Sequence, residues 1–288
     1  MSIPLADSQL TRMIEIALRE DIGVGDITSN AIIPENRIGK GVFLAKANGV
    51  LAGMEVAETV FRLVDDSIRM RSKISDGTPV LRGMQIASVD GSLRSILTAE
   101  RVALNFLQRM SGIATMTSSF VKLVEGTNAR IADTRKTAPG LRAFDKWAVR
   151  LGGGQNHRFG LDDMILIKDN HIAAAGSIEE AVRLVLLSLP LERTIKIEVE
   201  CQSLQQVSEA VQCEGIDVIM LDNFQLDDMA TAVRVIRVQK PSAQIEGSGN
   251  VNERTVRDIA ETGVDLISIG ALTHSVKALD ISLEVTGE

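Results

Sequence analysis

Apolar and polar positions change period from one segment to the next along the first hundred residues. Over 6–20, Leu10, Met13, Ile14 and Leu18 recur at helical spacing and predict a helix. GVFLAKA at 41–47 predicts a strand, 54–64 a short helix, and 80–89 a strand with Gly83 as a turn. A long helical pattern opens at Thr98, with Glu100 in its first turn and Val102, Leu104, Phe106, Leu107 and Met110 along it. Beyond residue 130 the texture changes. Short apolar runs recur at 130–132, 164–167, 195–199, 218–221, 244–245 and 266–269. Helix-like patterns lie between them at 177–187, 203–213, 226–238 and 252–261. The last four runs begin at 195, 218, 244 and 266, a regular strand-helix beat. Strands alternating with helices at this spacing pair in parallel through crossover helices. Either an α/β barrel or an open doubly wound sheet results.

The runs end in chemistry: ADTRKT, LIKDNH, IEVEC, MLDNF, IEGSG and SIGA. In a parallel α/β fold, all strand C-termini share one rim, where ligands bind. Arg135, Lys136, Lys168, Glu200, Asp222, Gly247, Gly249 and Gly270 are therefore expected to converge. The sorting is basic groups early, carboxylates in the middle and glycines late. Glu198 and Glu200, two apart, share a face of one strand. Facing inward, they need cations, a metal or donor hydroxyls. An ion pair of Glu198 or Glu200 with Lys196 or Lys168 is the plain structural alternative. Glycine at strand ends lets backbone N–H groups approach phosphate.

Composition narrows the function class. The 288 residues carry 31 Lys plus Arg against 38 Asp plus Glu, a net charge of −7, which argues against a broad nucleic-acid surface. Aromatics are 3%, with no Tyr, too few for a base-stacking platform. Two cysteines, Cys201 and Cys213, exclude a disulfide scaffold and suit a reducing compartment. Neither a signal peptide nor a membrane span is expected, so the protein reads as cytoplasmic. Inside this acidic chain, residues 130–168 hold eight Lys or Arg against four Asp, a local balance of +4. A cationic pocket suits a small polyanion bearing carboxylates and phosphates. Arg142, Lys146 and Arg150 are assigned instead to the solvated face of a helix over 140–151. The Gly152–Gly154 run lacks the ending of a Walker A loop, and a GxGxxG fingerprint is missing. His171 and His274 are read as hydrogen-bonding or positional residues, and Cys201 as packing.

DTRKTAPGLRAFDKWAVRLGGGQNHRFGLDDMILIKDNHI at 133–172 resembles the quinolinate phosphoribosyltransferase family, also called nicotinate-nucleotide pyrophosphorylase (carboxylating). The resemblance continues through EDIGVGDITS (20–29), ERVALNFLQRMSGIAT (100–115), IEVEC, MLDNF, EGSGN (246–250) and SIGALTHSVKALDISL (268–283). It implies an N-terminal α/β sandwich domain over 1–110 and an incomplete α/β barrel over 111–274, with 275–288 packing back on the first. It implies transfer of phosphoribose from phosphoribosyl pyrophosphate to quinolinate, with decarboxylation, in NAD biosynthesis. Lys136, Glu200 and Asp222 are then the catalytic residues, with Glu200 and Asp222 also holding Mg²⁺. Arg101, Arg135, Thr137, His157, Arg158, Lys168, Ser248, Gly249, Asn250 and Gly270 bind substrates. A homodimer or higher assembly is implied, with Arg101 reaching in from the partner subunit. Asn250 departs from the family's usual SGG. Two other readings are a paralogue linked to molybdenum transport and an inactive anion-binding protein. The intact TRKT, NHR and LIKDNH segments favour the transferase.

Overall fold

The computed structural model describes residues 6–190 and 194–287. The chain begins with α1 (Asp7–Ile22), α2 (Ile27–Ile32), β1 (Ile38–Ala45), β2 (Gly49–Val50), α3 (Met54–Val64), β3 (Arg69–Ser72), β4 (Pro79–Val80) and β5 (Gln85–Ser92). Next come α4 (Leu93–Leu123), β6 (Arg130–Ala132), α5 (Arg142–Leu151), β7 (Ile165–Ile167), α6 (Asp169–Ala175), α7 (Ile178–Ser188) and β8 (Ile197–Cys201). It finishes with α8 (Leu204–Ala210), β9 (Val218–Asp222), α9 (Leu226–Gln239), β10 (Gln244–Ser248), α10 (Val256–Glu261), β11 (Leu266–Ser268), α11 (Ala271–His274) and β12 (Ile281–Gly287). Two compact units result, and neither is one continuous stretch. The first holds the chain up to Ser118, Thr137–Gly153 and the segment from Ala271; the second holds Ser119–Lys136 and Gly154–Gly270.

In the first unit, β12, β1, β5 and β3 form an antiparallel sheet in that order. The C-terminal strand thus returns to β1, with Phe43 opposite Leu283. Helix α1 forms because Leu10, Ile14 and Leu18, four apart, make one buried stripe. Helix α3 starts where the Asp76 carboxylate accepts from the backbone N–H groups of Gly53 and Met54, both at 3.1 Å. Burial pushes the Asp76 carboxyl above the ordinary range, because desolvation outweighs those two bonds. Helix α4 opens at Leu93 rather than Thr98. Ile96 is already fully buried, and the Arg94 guanidinium donates to the carbonyls of Ile33 at 2.6 Å and Asn30 at 3.1 Å.

Helix α5 corrects one expectation. Lys146 is buried, with 3% of its surface exposed, not on a solvated face. Ala143 through Val149 are consecutively buried, so α5 has no dry-versus-wet division along that stretch. Asp145 is fully buried beside it and takes a two-pronged ion pair from Arg109, Nε to Oδ1 and Nη2 to Oδ2, both 2.8 Å.

The second unit is a six-stranded parallel sheet in the order β6-β11-β10-β9-β8-β7. Strands β6 and β7 stay at its edges, so the α/β barrel is incomplete. All five residues of β8 are buried, as expected for a strand covered on both faces. At the N-terminal ends of the strands, aspartates pin their neighbours. Asp217 Oδ2 accepts from the Ile197 N–H, and Asp265 Oδ2 from the Ile245 N–H, each at 2.8 Å. That end is stapled; the opposite rim is left for chemistry.

Candidate active site

Ladder partners in a sheet point their side chains to the same face. Glu200 of β8 lies opposite Met220 of β9, and Met220 opposite Glu246 of β10. One pleat further on, Asp222 lies opposite Ser248. Glu198, Glu200, Asp222, Glu246 and Ser248 therefore share one face, rising toward the rim. Arg135 and Lys136 follow β6, Lys168 follows β7 and Gly270 follows β11. The topology brings these sequence-predicted residues to one rim of the second unit. Arg101 and Thr137 belong to the first unit. Arg101 is exposed on α4, and Thr137 Oγ1 accepts from Arg142 Nε at 3.1 Å.

Lys168 heads α6, where its backbone N–H donates to His171 Nδ1 at 3.0 Å. Its Nζ reaches across to Glu200 Oε2 at 2.5 Å. Glu200 Oε1 accepts from Gln202 Nε2 at 3.4 Å. Asp222 Oδ2 accepts from Asn223 Nδ2 at 2.8 Å, and Asn223 Oδ1 accepts from Asn250 Nδ2 at 3.0 Å. Asn223 and Asn250 both have positive φ, 59° and 51°. Asparagine tolerates that region well, which is how Asn250 keeps the turn a glycine would make. Gly249 is obligatory by space: at φ +91°, a Cβ there would lie 2.2 Å from Asn223 Oδ1.

Arg135 and Arg158 define the cationic side. Arg158 Nη1 donates to the Met164 carbonyl at 2.9 Å. Burial, and then the charge of Arg135, push the Arg158 guanidinium below its usual range. The two like charges thus lie within each other's field.

Two residues missed by sequence reasoning hold the segment carrying Arg158. Asp133, buried at the end of β6, accepts from the His157 N–H at 2.9 Å and from Asn156 Nδ2 at 2.5 Å. Glu246 lies with Glu198 against the His157 ring, with Nε2 at 3.1 Å from Glu198 Oε2 and 3.4 Å from Glu246 Oε2. The ion pair weighed from sequence therefore fails for Glu198, which faces His157, and holds for Glu200, which Lys168 takes. Glu246 carried the same signal as Glu198, a carboxylate inside an apolar run.

Burial opposes charge on His157, but the two carboxylates outweigh it and push the ring up to about 10. Burial and the charge of Glu246 push Glu198 up to about 7. His157 Nδ1 meanwhile accepts from the Arg158 N–H at 2.9 Å, which requires that nitrogen bare. A neutral ring beside one protonated glutamate holds as many protons as an imidazolium between two carboxylates. The amide bond selects the first arrangement. Both ring nitrogens are engaged by protein groups, and the side chain is 8% exposed.

Cys201 is buried on the other face of β8, where burial pushes its thiol up to about 12, so it packs rather than attacks. His274 Nδ1 lies 2.7 Å from Ser275 Oγ. Among the described residues, no helix is long and apolar enough to cross a membrane.

Comparison with known proteins adds the following. The family model described as quinolinate phosphoribosyl transferase, C-terminal domain, matches residues 113–284, and its N-terminal counterpart matches 26–111. A Nicotiana tabacum protein named quinolinate phosphoribosyltransferase (decarboxylating) 1b is 44% identical over 292 residues, covering 97% of this chain and 83% of the relative. A rice (Oryza sativa subsp. japonica) chloroplastic nicotinate-nucleotide pyrophosphorylase (carboxylating) is 45% identical over 292 residues, covering 97% and 78%. The crystal structure of NadC from Streptococcus pyogenes superposes with a TM-score of 0.93 at 41% identity, covering 100% of both chains.

Proposed function

The chain belongs to the quinolinate phosphoribosyltransferase family, and on that premise we propose that the rim of its parallel sheet carries the family's reaction. The enzyme joins quinolinate to phosphoribosyl pyrophosphate and releases pyrophosphate and CO₂. It is a nicotinate-nucleotide pyrophosphorylase (carboxylating) of NAD biosynthesis. The observation that carries the site assignment is the shared face of Glu200, Asp222 and Ser248, with Lys168 Nζ reaching Glu200 Oε2 at 2.5 Å. Arg158, part-buried and within the field of Arg135, brings positive charge that favours an anion there. Quinolinate, a dianion, supplies it.

The chemistry needs positioning and charge rather than a nucleophile. The pyridine nitrogen attacks the anomeric carbon as the C–O bond to pyrophosphate breaks. Positive charge grows on the sugar, and Glu200 and Asp222 face it. Lys136 and Lys168 offset charge on the anions, and Lys168 also holds Glu200 in place. Ser248, Gly249, Asn250 and Gly270 form the turns that take phosphate. Asp133, Asn156 and His157 set Arg158. The ring carboxylate next to the nitrogen then leaves as CO₂. The quaternised nitrogen stabilises the carbanion until a proton replaces the lost group.

Glu200 and Asp222 also suit Mg²⁺. They are two carboxylates one pleat apart on one face, the few protein oxygens this ion takes beside phosphates and water. When bound, Mg²⁺ supplies neutralisation of the leaving pyrophosphate.

Incubation of the purified protein with carboxyl-labelled quinolinate, phosphoribosyl pyrophosphate and Mg²⁺ should release labelled CO₂ and yield nicotinate mononucleotide. Nicotinic acid, lacking the second carboxylate, should not substitute. Equal turnover of nicotinic acid contradicts the assignment. We further propose a homodimer in which Arg101 serves the partner's site, and a cytoplasmic setting that keeps Cys201 and Cys213 reduced. Mixing inactive Arg101→Ala and Lys136→Ala subunits should then restore activity, because each hybrid dimer has one intact site. Exchange of subunits without recovery refutes sharing.

A further inference from the structure

The His157–Glu198–Glu246 cluster lies below the rim, and no step above draws on its two carboxylates. The side chains of His157, Glu198 and Glu246 are 8%, 0% and 1% exposed. Two carboxylates buried around a single imidazole, with no well-aligned hydrogen-bond donor among the described residues for any of their four oxygens, are an expensive way to fill an interior. Leucine would pack the same volume at lower cost. What the carboxylates add is direction. They flank Nε2 at 3.1 and 3.4 Å, from β8 on one side and β10 on the other. Nδ1 is held by the N–H of Arg158, so the rotamer and tautomer are both set. Asp133 fixes the backbone N–H of the same histidine. The held ring is then joined to Arg158 by a peptide bond and by a hydrogen bond to its amide.

We propose that Glu198 and Glu246 are positioning residues: they clamp His157 so that the turn at 156–158 presents the Arg158 guanidinium to the rim, and they thereby set affinity for the dicarboxylate substrate. This rests on the functional reading above and deepens it. The clamp acts from beneath, across two separate strands, on a residue that itself stays inside. It concerns the dicarboxylate half of the site, since the phosphate turns at Ser248–Asn250 are held separately by Asn223.

The test compares Glu246→Leu, which matches volume without an acceptor, with Glu246→Gln, which keeps one. Glu198→Leu and Glu198→Gln repeat it from the other strand. The apolar variants should raise KM for quinolinate about tenfold or more, the scale of a small misplacement, while KM for the phosphoribosyl donor stays within about twofold. The glutamine variants should recover most of that loss. ¹⁵N NMR of the three histidines, with His157 identified from a His157→Asn variant, should show a single sharp Nε2 resonance in wild type and a shifted, broadened one in Glu246→Leu. Unchanged KM for quinolinate in Glu246→Leu, at wild-type thermal midpoint, overturns the clamp. So do equal losses for both substrates, or stoichiometric uptake of Mn²⁺ or Zn²⁺ that Glu246→Leu abolishes, which makes the cluster a metal site. If Glu198→Leu fails to fold, the Glu246 pair and the NMR signature still decide. Should wild type neither bind nor convert quinolinate, the functional reading falls. The Nε2 resonance then still reports whether the carboxylates hold the ring.

Discussion

Replacing Glu200 by alanine should lower kcat roughly a thousandfold, about the loss seen when one preorganised group facing transition-state charge is removed. The carboxylate ends β8 with its side chain only 7% exposed, so its field is weakly screened by water. Lys168 holds it at 2.5 Å from the neighbouring strand end, so little reorganisation is needed as charge develops on the sugar. The fold should survive. Lys168, left without this partner, is 44% exposed and can hydrate. Glu200→Gln separates the two contributions. It keeps the size and an acceptor for Lys168 but no charge, and should still lose about a hundredfold or more. Initial rates of labelled CO₂ release, with thermal midpoints as a folding control, make the measurement. A Glu200→Ala enzyme with wild-type kcat and an unchanged midpoint removes Glu200 from the mechanism.

Much of the second unit was readable because its strands are short apolar runs with chemistry at one end. The run at 130–132 coincides with β6, and the other five runs fall on β7 to β11 with ends differing by up to three residues. The convergence of Arg135, Lys168, Glu200 and Asp222 followed from parallel pairing alone, since that geometry places every strand end on one rim. The first unit gave less. Strand β3 is RMRS, mostly exposed at a sheet edge, with no alternation to reveal it. Helix α6 buries none of its residues, so it has no stripe. Glu246 and Asp133 are hubs whose partners lie far along the chain, Glu246 against His157 and Asp133 against 155–157. Periodicity reports which face a residue takes; it does not report which distant ring or amide waits there. The same holds for Lys146 and Asp145, whose burial depends on what surrounds α5, not on the spacing within it.

Asp145 makes the second large prediction, one of stability rather than rate. Asp145→Ala should destabilise the protein by about 3 kcal/mol or more, the cost of breaking a buried pair from one side. The aspartate is fully buried and receives both Arg109 prongs at 2.8 Å, and its Oδ2 also takes the Ala138 N–H at 3.3 Å. Arg109 additionally donates to the Thr273 carbonyl at 3.2 Å, so the pair ties α4, α5 and the segment after β11 within the first unit. Removing the carboxylate strands a guanidinium that is only 26% exposed and leaves the 138 amide short of a partner. Thermal unfolding should show it as a midpoint lowered by about 5 °C or more at this chain length. The double variant Arg109→Met/Asp145→Leu should recover a large part of the loss, because apolar replacement of both partners removes the stranded charge. Recovery distinguishes a desolvation penalty from simple loss of packing, since the double variant changes more atoms yet should unfold later than Asp145→Ala. A single variant that melts with wild type shows that the pair contributes nothing. A double variant less stable than either single one shows that its geometry, not its charge balance, holds α5 in place.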